Sequence, residues 1–486
     1  YLKEVGGYRT HLVGKWHLGH FHESHLPLER GFDTFYGFYS GFTGAFHHTS
    51  ELTACAEERD CYYDLRDGWE PAGEALAGES HYNMYLFEDE VAKIINHYGE
   101  SDESTPFFLY YAMSNVHEPI EVPEAYLERE EVIQKLADIP NVQRRHFAAM
   151  TMIVDDAVQN LTSCLRSNEL YDETIIIIAS DNGAASVIAG SGSNLPLRGM
   201  KGYLWEGGVR VHAMVRSSSI PTHLRGKTYD GLFHVTDWMP TIFGMIGSSH
   251  ALKQLVPSQA GGYLDGYNHW GAILAGHSRS PRSTLLHNLD YLYSNVTSEW
   301  YTTGAIRSGD FKLLRGVQYL PVWELPQSEN RSDYEAGGVY ADGGAGGEDW
   351  YNTVPTDYLY NVTADPTETT DLKAQYPEIF AQLNELMDEY VATMAPTAYC
   401  GSVMDKQARK VFNETQFIGP WVTEDDFVCP KGNYSSTNAT YDDQLSEEEQ
   451  DAMRSAVEID VSSALQFMAQ YTAEMCLYHL LPDSAC

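Results

Sequence analysis

The residues of this sequence that could do chemistry follow short apolar runs, and the first pair comes early in the chain. Residues 10–14 end in a glycine, and Lys15 and His17 follow directly. A lysine binds an anion as a compact point charge, whereas an imidazole gains or loses a proton near neutral pH. The pair therefore suggests a site that binds an anion and transfers a proton beside it.

Two later apolar runs also end in polar residues. Residues 105–113 lead to His117, and residues 174–180 lead to Asp181 and Asn182. Carboxylate and amide oxygens are ligands of hard cations such as Ca²⁺, so Asp181 and Asn182 are candidate metal ligands. Taken alone, an Asp-Asn-Gly sequence is more often an ordinary turn, and most lysines and histidines are solvated or structural.

The polar residues can form one site only if the three apolar runs form elements whose ends lie together. Short β-branched runs bounded by turn residues are typical of buried parallel strands. In an open α/β sheet, ligands bind outside the carboxyl ends of such strands. We therefore predict that the three runs are parallel strands of one sheet and that five polar residues meet at one edge of it. These residues are Lys15, His17, His117, Asp181 and Asn182.

Several segments, in order along the chain, resemble the signature motifs of the type I sulfatases, and most of all those of the N-acetylgalactosamine-4-sulfatases. The most specific segments are residues 7–17, 180–183, 197–201 and 204–210. Further matches lie at residues 26–34, 115–119, 285–288 and 419–421. The resemblance implies an α/β, alkaline-phosphatase-like fold. In that fold a mixed, mostly parallel sheet flanked by helices is followed by a smaller C-terminal antiparallel-sheet domain.

The resemblance implies roles for four basic side chains. Lys15 and Lys201 would hold sulfate oxygens and offset the charge that builds up as sulfur is attacked. His17 would hydrogen-bond an aldehyde hydrate, and His117 would contact the ester and protonate the leaving alcohol. The implied reaction is hydrolysis of a sulfate ester, carried by a sulfated glycan or by an aryl sulfate.

The resemblance also implies two cofactors. Asp181 and Asn182 would supply part of the oxygen shell of Ca²⁺, and an upstream pair of aspartates would add to it. The nucleophile would be formylglycine, made from the cysteine of a Cys-x-Pro-Ser-Arg motif. None of the seven cysteines lies in such a motif. We therefore expect a fragment that lacks an N-terminal segment on the order of 100 residues, contains no nucleophile and is inactive as given.

The cysteines otherwise suggest a few pairings. Cys164 falls in a predicted helix and is expected to be a buried thiol. Cys55 and Cys61 match a disulfide that the resemblance implies. The connectivity of the others cannot be read from sequence. They are Cys400, Cys429, Cys476 and Cys486, and pairing of the first two with each other and of the last two with each other is one arrangement.

Composition and periodicity divide the chain into three predicted parts. They are an α/β domain over residues 1–300, which the resemblance identifies as the catalytic domain, a small sheet-plus-helix domain over 301–430, and an acidic, partly helical tail over 431–486 to which no role is assigned. Apolar residues at helical spacing predict helices over about 141–167 and 371–393. Residues 305–314 predict two short strands around a Ser-Gly-Asp turn, and residues 328–349 predict a loop.

The charge of the chain limits its partners. Thirty-one basic residues against 69 acidic ones give a net charge of −38, which argues against nucleic acid and anionic membrane surfaces. No apolar run approaches the length of a transmembrane helix. Seven N-glycosylation sequons favour a secretory route, to the lysosome or outside the cell. They are Asn160, Asn295, Asn330, Asn361, Asn413, Asn433 and Asn438.

Two other functions fit parts of the sequence. One is a phosphatase or phosphodiesterase of the same superfamily, with zinc ions and a Ser or Thr nucleophile. The other is a catalytically dead sulfatase fold that binds glycans. A zinc cluster of His17, His20, His22 and His25 is rejected, because the spacing matches no closed structural site and no cysteine lies near.

Overall fold

The structure is a computed structural model that describes ten stretches of the chain. These are residues 1–49, 62–72, 81–101, 105–185, 192–255, 264–276, 279–294, 299–317, 354–394 and 406–422. The chain forms two compact units. Unit 1 comprises Tyr1–Ala179, Ala213–Ser283 and Val403–Phe427, and unit 2 comprises Ser180–His212, Thr284–Ser402 and Val428–Cys486. The domain boundaries at residues 300 and 430 stay a prediction.

Unit 1 contains a five-stranded sheet in the order β4-β3-β2-β1-β5. The strands are β1 Arg9–Lys15, β2 Thr34–Phe38, β3 Arg66–Asp67, β4 Glu70–Pro71 and β5 Phe107–Ala112. Strand β1 pairs in parallel with both β2 and β5, whereas β3 and β4 pair antiparallel. Leu12 and Val13 of β1 are fully buried. Burial on both faces explains the continuous apolar run that predicts a central strand.

The third apolar run pairs differently from the prediction. Strand β6 (Ile176–Ala179) pairs antiparallel with β7 (Ala213–Arg216), and these two form a separate sheet. The prediction that β6 is a buried parallel strand of the sheet containing β1 is therefore wrong. Its three isoleucines are only half-buried. A run of β-branched residues favours a strand of either direction, so it does not specify the partner.

The helices of unit 1 pack against its sheet or against one another. Their bounds are α1 Leu2–Gly6, α2 Asn83–Glu100, α3 Glu124–Leu127, α4 Glu130–Leu136, α5 Val142–Ser167, α7 Trp238–Met245, α8 Ser249–Leu255, α9 Trp270–Ala275 and α11 Lys406–Thr415. Helix α5 confirms the predicted helix, and its N-cap residue Asn141 accepts a hydrogen bond from the amide of Arg144. Apolar residues of α2 and α5, such as Phe87 and Ile153, join Val13 in one buried cluster.

Unit 2 is built on a four-stranded antiparallel sheet in the order β11-β10-β9-β8. Its elements are α6 Glu206–Val209, β8 Thr284–Ser294, β9 Glu299–Ser308, β10 Phe311–Val317, β11 Thr356–Asn361 and α10 Pro377–Thr393. The predicted hairpin turn is confirmed, with Gly309 in the left-handed region at φ 57°. Helix α10 begins later than predicted, because Pro377 occupies its first turn.

A buried ion cluster ties α6 to the sheet of unit 2. The Lys312 ammonium lies 3.0 Å from a carboxylate oxygen of Glu206 and 3.0 Å from one of Glu368. All three side chains are at most 2% exposed. Burial raises the pKa of Glu368. For Glu206, burial alone would raise the pKa, but the nearby Lys312 charge holds it below its ordinary value.

Replacing Lys312 with methionine is expected to destabilise the protein strongly. Glu368 then stays buried without its ammonium partner, while Glu206 keeps the more distant Arg210 guanidinium at 3.8 Å. Breaking a buried pair in this way costs about 3–5 kcal/mol of unfolding free energy. Urea unfolding measures the change. The matched control is Lys93→Met, because Lys93 forms an exposed pair with Glu90 and such pairs contribute about 0–1 kcal/mol. Equal losses in the two variants would contradict the prediction.

Several predictions concern residues outside the described stretches. They are the six cysteines other than Cys164, the loop over 328–349 and the tail over 431–486. Cys164 is free, and it is half-buried rather than buried. Its thiol contacts the side chains of Asn96 and Asn168. Within the described stretches, no helix is both long and apolar enough to cross a bilayer.

Candidate functional site

Lys15 is the last residue of β1, and the chain beyond it continues along β2. The amide of Trp16 donates to the carbonyl oxygen of Phe38, and the amide of His17 donates to that of Tyr39. His17 has φ 53°, in the left-handed region that residues other than glycine rarely adopt. Backbone strain of this kind clusters at functional sites. The geometry therefore supports His17 as a site residue.

The buried indole of Trp16 fixes the loop that follows β1. Its Nε1 donates to the carbonyl oxygens of both Gly19 and His25, each at 3.0 Å. Trp16 is 8% exposed and packs in a cluster with Leu12. Because one buried donor holds two points of the loop, the backbone around His17 has little freedom.

His117 follows β5, the parallel neighbour of β1. The register places Ala112, the last residue of β5, beside Gly14. A Cβ at Gly14 would lie 1.9 Å from the Ala112 carbonyl oxygen, so the close approach of the strands requires glycine there. Lys15 therefore ends β1, and His17 and His117 follow β1 and β5, two parallel strands that end at the same edge of one sheet.

Two contacts orient the imidazole of His117. Its Nδ1 lies 2.7 Å from the carbonyl oxygen of Glu118. Since a carbonyl oxygen only accepts, Nδ1 carries the proton, and Nε2 is the atom that can exchange a proton with a ligand. The ring also stacks on Phe42, with centroids 6.3 Å apart and an interplanar angle of 2°. The arrangement suits proton transfer at Nε2.

Asp181 and Asn182 form a turn in unit 2. Asp181 Oδ1 accepts a hydrogen bond from the amide of Asn182 at 2.8 Å. The Nδ2 of Asn182 donates to the Gly183 carbonyl oxygen, also at 2.8 Å, so Oδ1 is the atom of this amide suited to a cation. These two oxygen donors fit part of a Ca²⁺ shell. Among the described residues, no group of three or more His, Cys, Asp or Glu side chains could hold a metal.

The loop that carries Lys201 is hydrogen-bonded to this turn. The amide of Lys201 donates to the carbonyl oxygen of Ala184 at 3.2 Å. The side chain of Asn194 accepts from the Ala184 amide and donates to the Ala184 and Gly199 carbonyl oxygens. Asp181 and Asn182, the candidate metal ligands, thus lie in the same substructure of unit 2 as Lys201, the candidate sulfate-binding lysine.

The structure therefore groups the predicted residues in two sets. Lys15, His17 and His117 belong to unit 1, whereas Asp181, Asn182 and Lys201 belong to unit 2. The prediction that one parallel sheet carries Asp181 and Asn182 together with Lys15, His17 and His117 is wrong, because β6 pairs antiparallel with β7 in a separate sheet. The roles of the six residues stay predictions.

Sequence reasoning missed three residues that contact His117, the segment around it, or the loops that contain Asp181, Asn182 and Lys201. Phe42 stacks on His117, Asn194 links the two loops of unit 2, and Tyr82 bonds to the segment around His117. None lies in a segment quoted for its resemblance, and the sequence has 33 tyrosines. No signal in the sequence distinguishes these residues from structural ones, because their partners are set by the path of the chain.

Comparisons with known proteins give a consistent result. A family model described as Sulfatase matches residues 1–248. Arylsulfatase J of Mus musculus is 33% identical over 440 residues, which cover 87% of this chain and 66% of that protein. N-acetylgalactosamine-6-sulfatase of Sus scrofa is 29% identical over 259 residues, covering 51% and 44%. The chain thus spans less than two thirds of the length of these curated relatives.

A solved structure is similar in fold. The PsFucS1 sulfatase from Pseudoalteromonas sp. matches with a TM-score of 0.56 at 24% identity, covering 81% of this chain and 72% of that chain. The mixed sheet with flanking helices and the separate small antiparallel sheet agree with this likeness.

Proposed function

Because this chain belongs to the sulfatase family, we propose that its protein is a sulfuric ester hydrolase that removes sulfate from a sulfated carbohydrate. The observation that carries the proposal is the placement of Lys15 at the end of β1, with His17 and His117 beyond the ends of β1 and of its parallel neighbour β5. Ligands of open α/β sheets bind at such an edge. An anion-binding lysine and two imidazoles there suit a sulfate ester, which needs charge compensation and a proton for its leaving group.

The two lysines bind the sulfate group. The chain has a net charge of −38, so its overall field repels an anionic substrate. Salt screens exposed charges beyond about 8–10 Å, and therefore Lys15 and Lys201 act on sulfate oxygens at close range. Their positive charge offsets the negative charge that grows on those oxygens as sulfur is attacked.

The two histidines move protons beside the ester. The imidazolium form of His117, whose Nδ1–H donates to the Glu118 carbonyl oxygen, gives its Nε2 proton to the bridging oxygen as the alcohol leaves and becomes the neutral imidazole. His17 hydrogen-bonds the attacking group. The strained conformation of His17 and the Trp16 anchor of its loop support a fixed position for this imidazole.

Two further groups complete the proposed chemistry. Asp181 and Asn182 would hold Ca²⁺, which polarises sulfate oxygens when bound. Formylglycine would supply the nucleophile, and its Cys-x-Pro-Ser-Arg precursor motif is not among these 486 residues. What this chain contributes by itself is anion binding, proton transfer and part of the metal shell.

The names of the relatives include both substrate classes. Arylsulfatase J is named for aryl sulfates, and N-acetylgalactosamine-6-sulfatase is named for a sulfated amino sugar. The substrate class that we propose is the sulfated glycan. The finer specificity that we propose is arylsulfatase B-like, toward a 4-sulfated N-acetylgalactosamine unit. The seven sequons favour the secretory pathway, either lysosomal or extracellular, and two of them, Asn160 and Asn413, are exposed in the structure.

The first experiment establishes the nucleophile. The transcript upstream of Tyr1 is sequenced, and the natural protein is examined by peptide mass spectrometry. An aspartate pair and a Cys-x-Pro-Ser-Arg motif with the mass of formylglycine are expected. Another residue at the nucleophile, or a mature protein that starts near Tyr1, would overturn catalysis and favour a glycan-binding protein.

The second experiment separates sulfatase from phosphatase. Purified natural protein is assayed with matched 4-nitrophenyl sulfate and phosphate esters, with calcium or with zinc. Sulfate release that needs calcium is expected. Preferred turnover of the phosphate ester with zinc would favour the phosphatase alternative.

Replacing Gly183 with alanine is expected to weaken calcium binding by about 10- to 100-fold, as changes behind metal ligands do. A Cβ at Gly183 would lie 1.8 Å from the Gly207 carbonyl oxygen. The turn that contains Asp181 and Asn182 must therefore shift. Calorimetric titration of the natural protein with calcium measures the affinity. The control is Gly271→Ala in α9, where a Cβ has no neighbour within 4 Å. Unchanged affinity in Gly183→Ala would remove the turn from the metal site.

A further inference from the structure

We propose that Tyr82 is a positioning residue for His117, because its buried hydroxyl holds both ends of the segment that contains this histidine. The inference rests on the proposed function, in which His117 protonates the leaving alcohol. It assigns a role in catalysis to a residue that does not contact the reacting atoms.

The hydroxyl of Tyr82 lies between two acceptors. It is 3.0 Å from Asn115 Oδ1 and 2.9 Å from the carbonyl oxygen of Glu121. Asn115 precedes His117 by two residues, and Glu121 follows it by four. Because both partners accept, the single hydroxyl proton is shared between them in a three-centre hydrogen bond that spans the turn around His117.

Tyr82 is itself rigidly held. It is the N-cap residue of α2 and is 0% exposed, and its ring packs on Phe46 with centroids 5.2 Å apart. Burial raises the pKa of Tyr82, so the hydroxyl keeps its proton and donates throughout the working pH range. The hydroxyl is thus a fixed point to which the segment is bonded.

Two further hydrogen bonds attach the segment from Asn115 to Glu121 to the surrounding elements. The Nδ2 of Asn115 donates to the Met150 carbonyl oxygen of α5 at 3.1 Å. The carboxylate of Glu121 accepts from the amide of Ala45 at 2.7 Å. Removing the Tyr82 hydroxyl leaves both of these bonds in place. The segment then stays attached but loses the bridge between its two ends.

Tyr82→Phe removes one oxygen and leaves the ring packing intact. A catalytic group that moves by a fraction of an ångström loses much of its effect, because proton transfer needs close alignment. Protonation by His117 matters most for a poor leaving group such as a sugar alcohol. We expect kcat to fall about 10-fold for the sulfated sugar, with KM and 4-nitrophenyl sulfate turnover within about twofold of the parent.

A double-mutant cycle in the natural protein tests the inference. Tyr82→Phe, His117→Ala and the double variant are assayed on both substrates. Because Tyr82 acts through His117, its effect should vanish once His117 is absent. Tyr62→Phe is the control, since Tyr62 is 2% exposed and its hydroxyl donates to Asn413 in the same unit. It should show no loss that depends on the leaving group.

The outcomes separate the inference from the proposed function. Parent protein that releases no sulfate overturns the proposed function. Equal losses of Tyr82→Phe on both substrates, with full additivity to His117→Ala, overturn the positioning role. Histidine NMR of the natural protein gives a readout independent of turnover. The His117 ring resonances should shift or broaden in Tyr82→Phe and not in Tyr62→Phe, and unchanged resonances overturn the inference.

Discussion

Replacing Lys201 with alanine is expected to lower kcat/KM for sulfate-ester hydrolysis by about 10²- to 10³-fold. Loss of one preorganised donor to a developing oxyanion has an effect of that size. The backbone of Lys201 is held to the Ala184 carbonyl oxygen, and Asn194 holds the neighbouring Gly199. Because these bonds do not involve the ammonium, the loop keeps its place in the variant.

Steady-state kinetics on a sulfated sugar, together with inhibition by inorganic sulfate, measure the effect. Inhibition should weaken in parallel, since sulfate uses the same cation. Lys227→Ala is the control, because Lys227 is an exposed lysine away from the predicted site residues in the sequence, and its kcat/KM should stay within about twofold of the parent. Parent-like kinetics in Lys201→Ala would show that Lys201 does not bind the sulfate group.

Replacing His117 with alanine is expected to lower kcat for a sulfated sugar by about 10²- to 10⁴-fold, the range of general acid catalysis. The effect on 4-nitrophenyl sulfate should be much smaller, because 4-nitrophenolate leaves without a proton. The Nδ1 contact with Glu118 and the stacking on Phe42 both orient the ring for this task. Turnover of both esters by the same preparation measures the difference.

The control for this variant is His223→Ala, which changes an exposed histidine of unit 1. It should lose activity on neither ester. A His117→Ala variant that loses the same factor on both esters would contradict the acid role. Such a result would place His117 in sulfate binding rather than in proton transfer.

Sequence alone predicts the elements whose cause is local. The spacing of apolar residues predicts α5, and the Ser-Gly-Asp turn predicts the β9–β10 hairpin, in which Gly309 adopts positive φ. The apolar run and following turn also place β1 correctly, with Lys15 at its end. In each case the controlling interactions lie within a few residues, so the pattern contains the information.

The pairing direction of β6 is a property that the local sequence pattern does not predict. Its run of isoleucines predicts a strand, and the structure contains one, but its partner is antiparallel β7 rather than a parallel neighbour. Side-chain alternation reports which residues are buried, and it carries no information about strand direction. The run of isoleucines therefore could not show to which sheet Asp181, which follows β6, belongs.

By itself the sequence determined the residue types of the candidate site, their order along the chain, the family and the α/β class. Only the tertiary structure decided what holds these residues in place. Tyr82 bonds to Asn115 across 33 positions, and Lys312 bonds to Glu206 across 106. Contacts over such separations depend on the path of the whole chain and on burial that excludes water from each partner. Local propensity and periodicity depend on residues close together in the sequence, so they report neither the path of the chain nor this burial. The supporting residues can therefore be identified only once the fold is known.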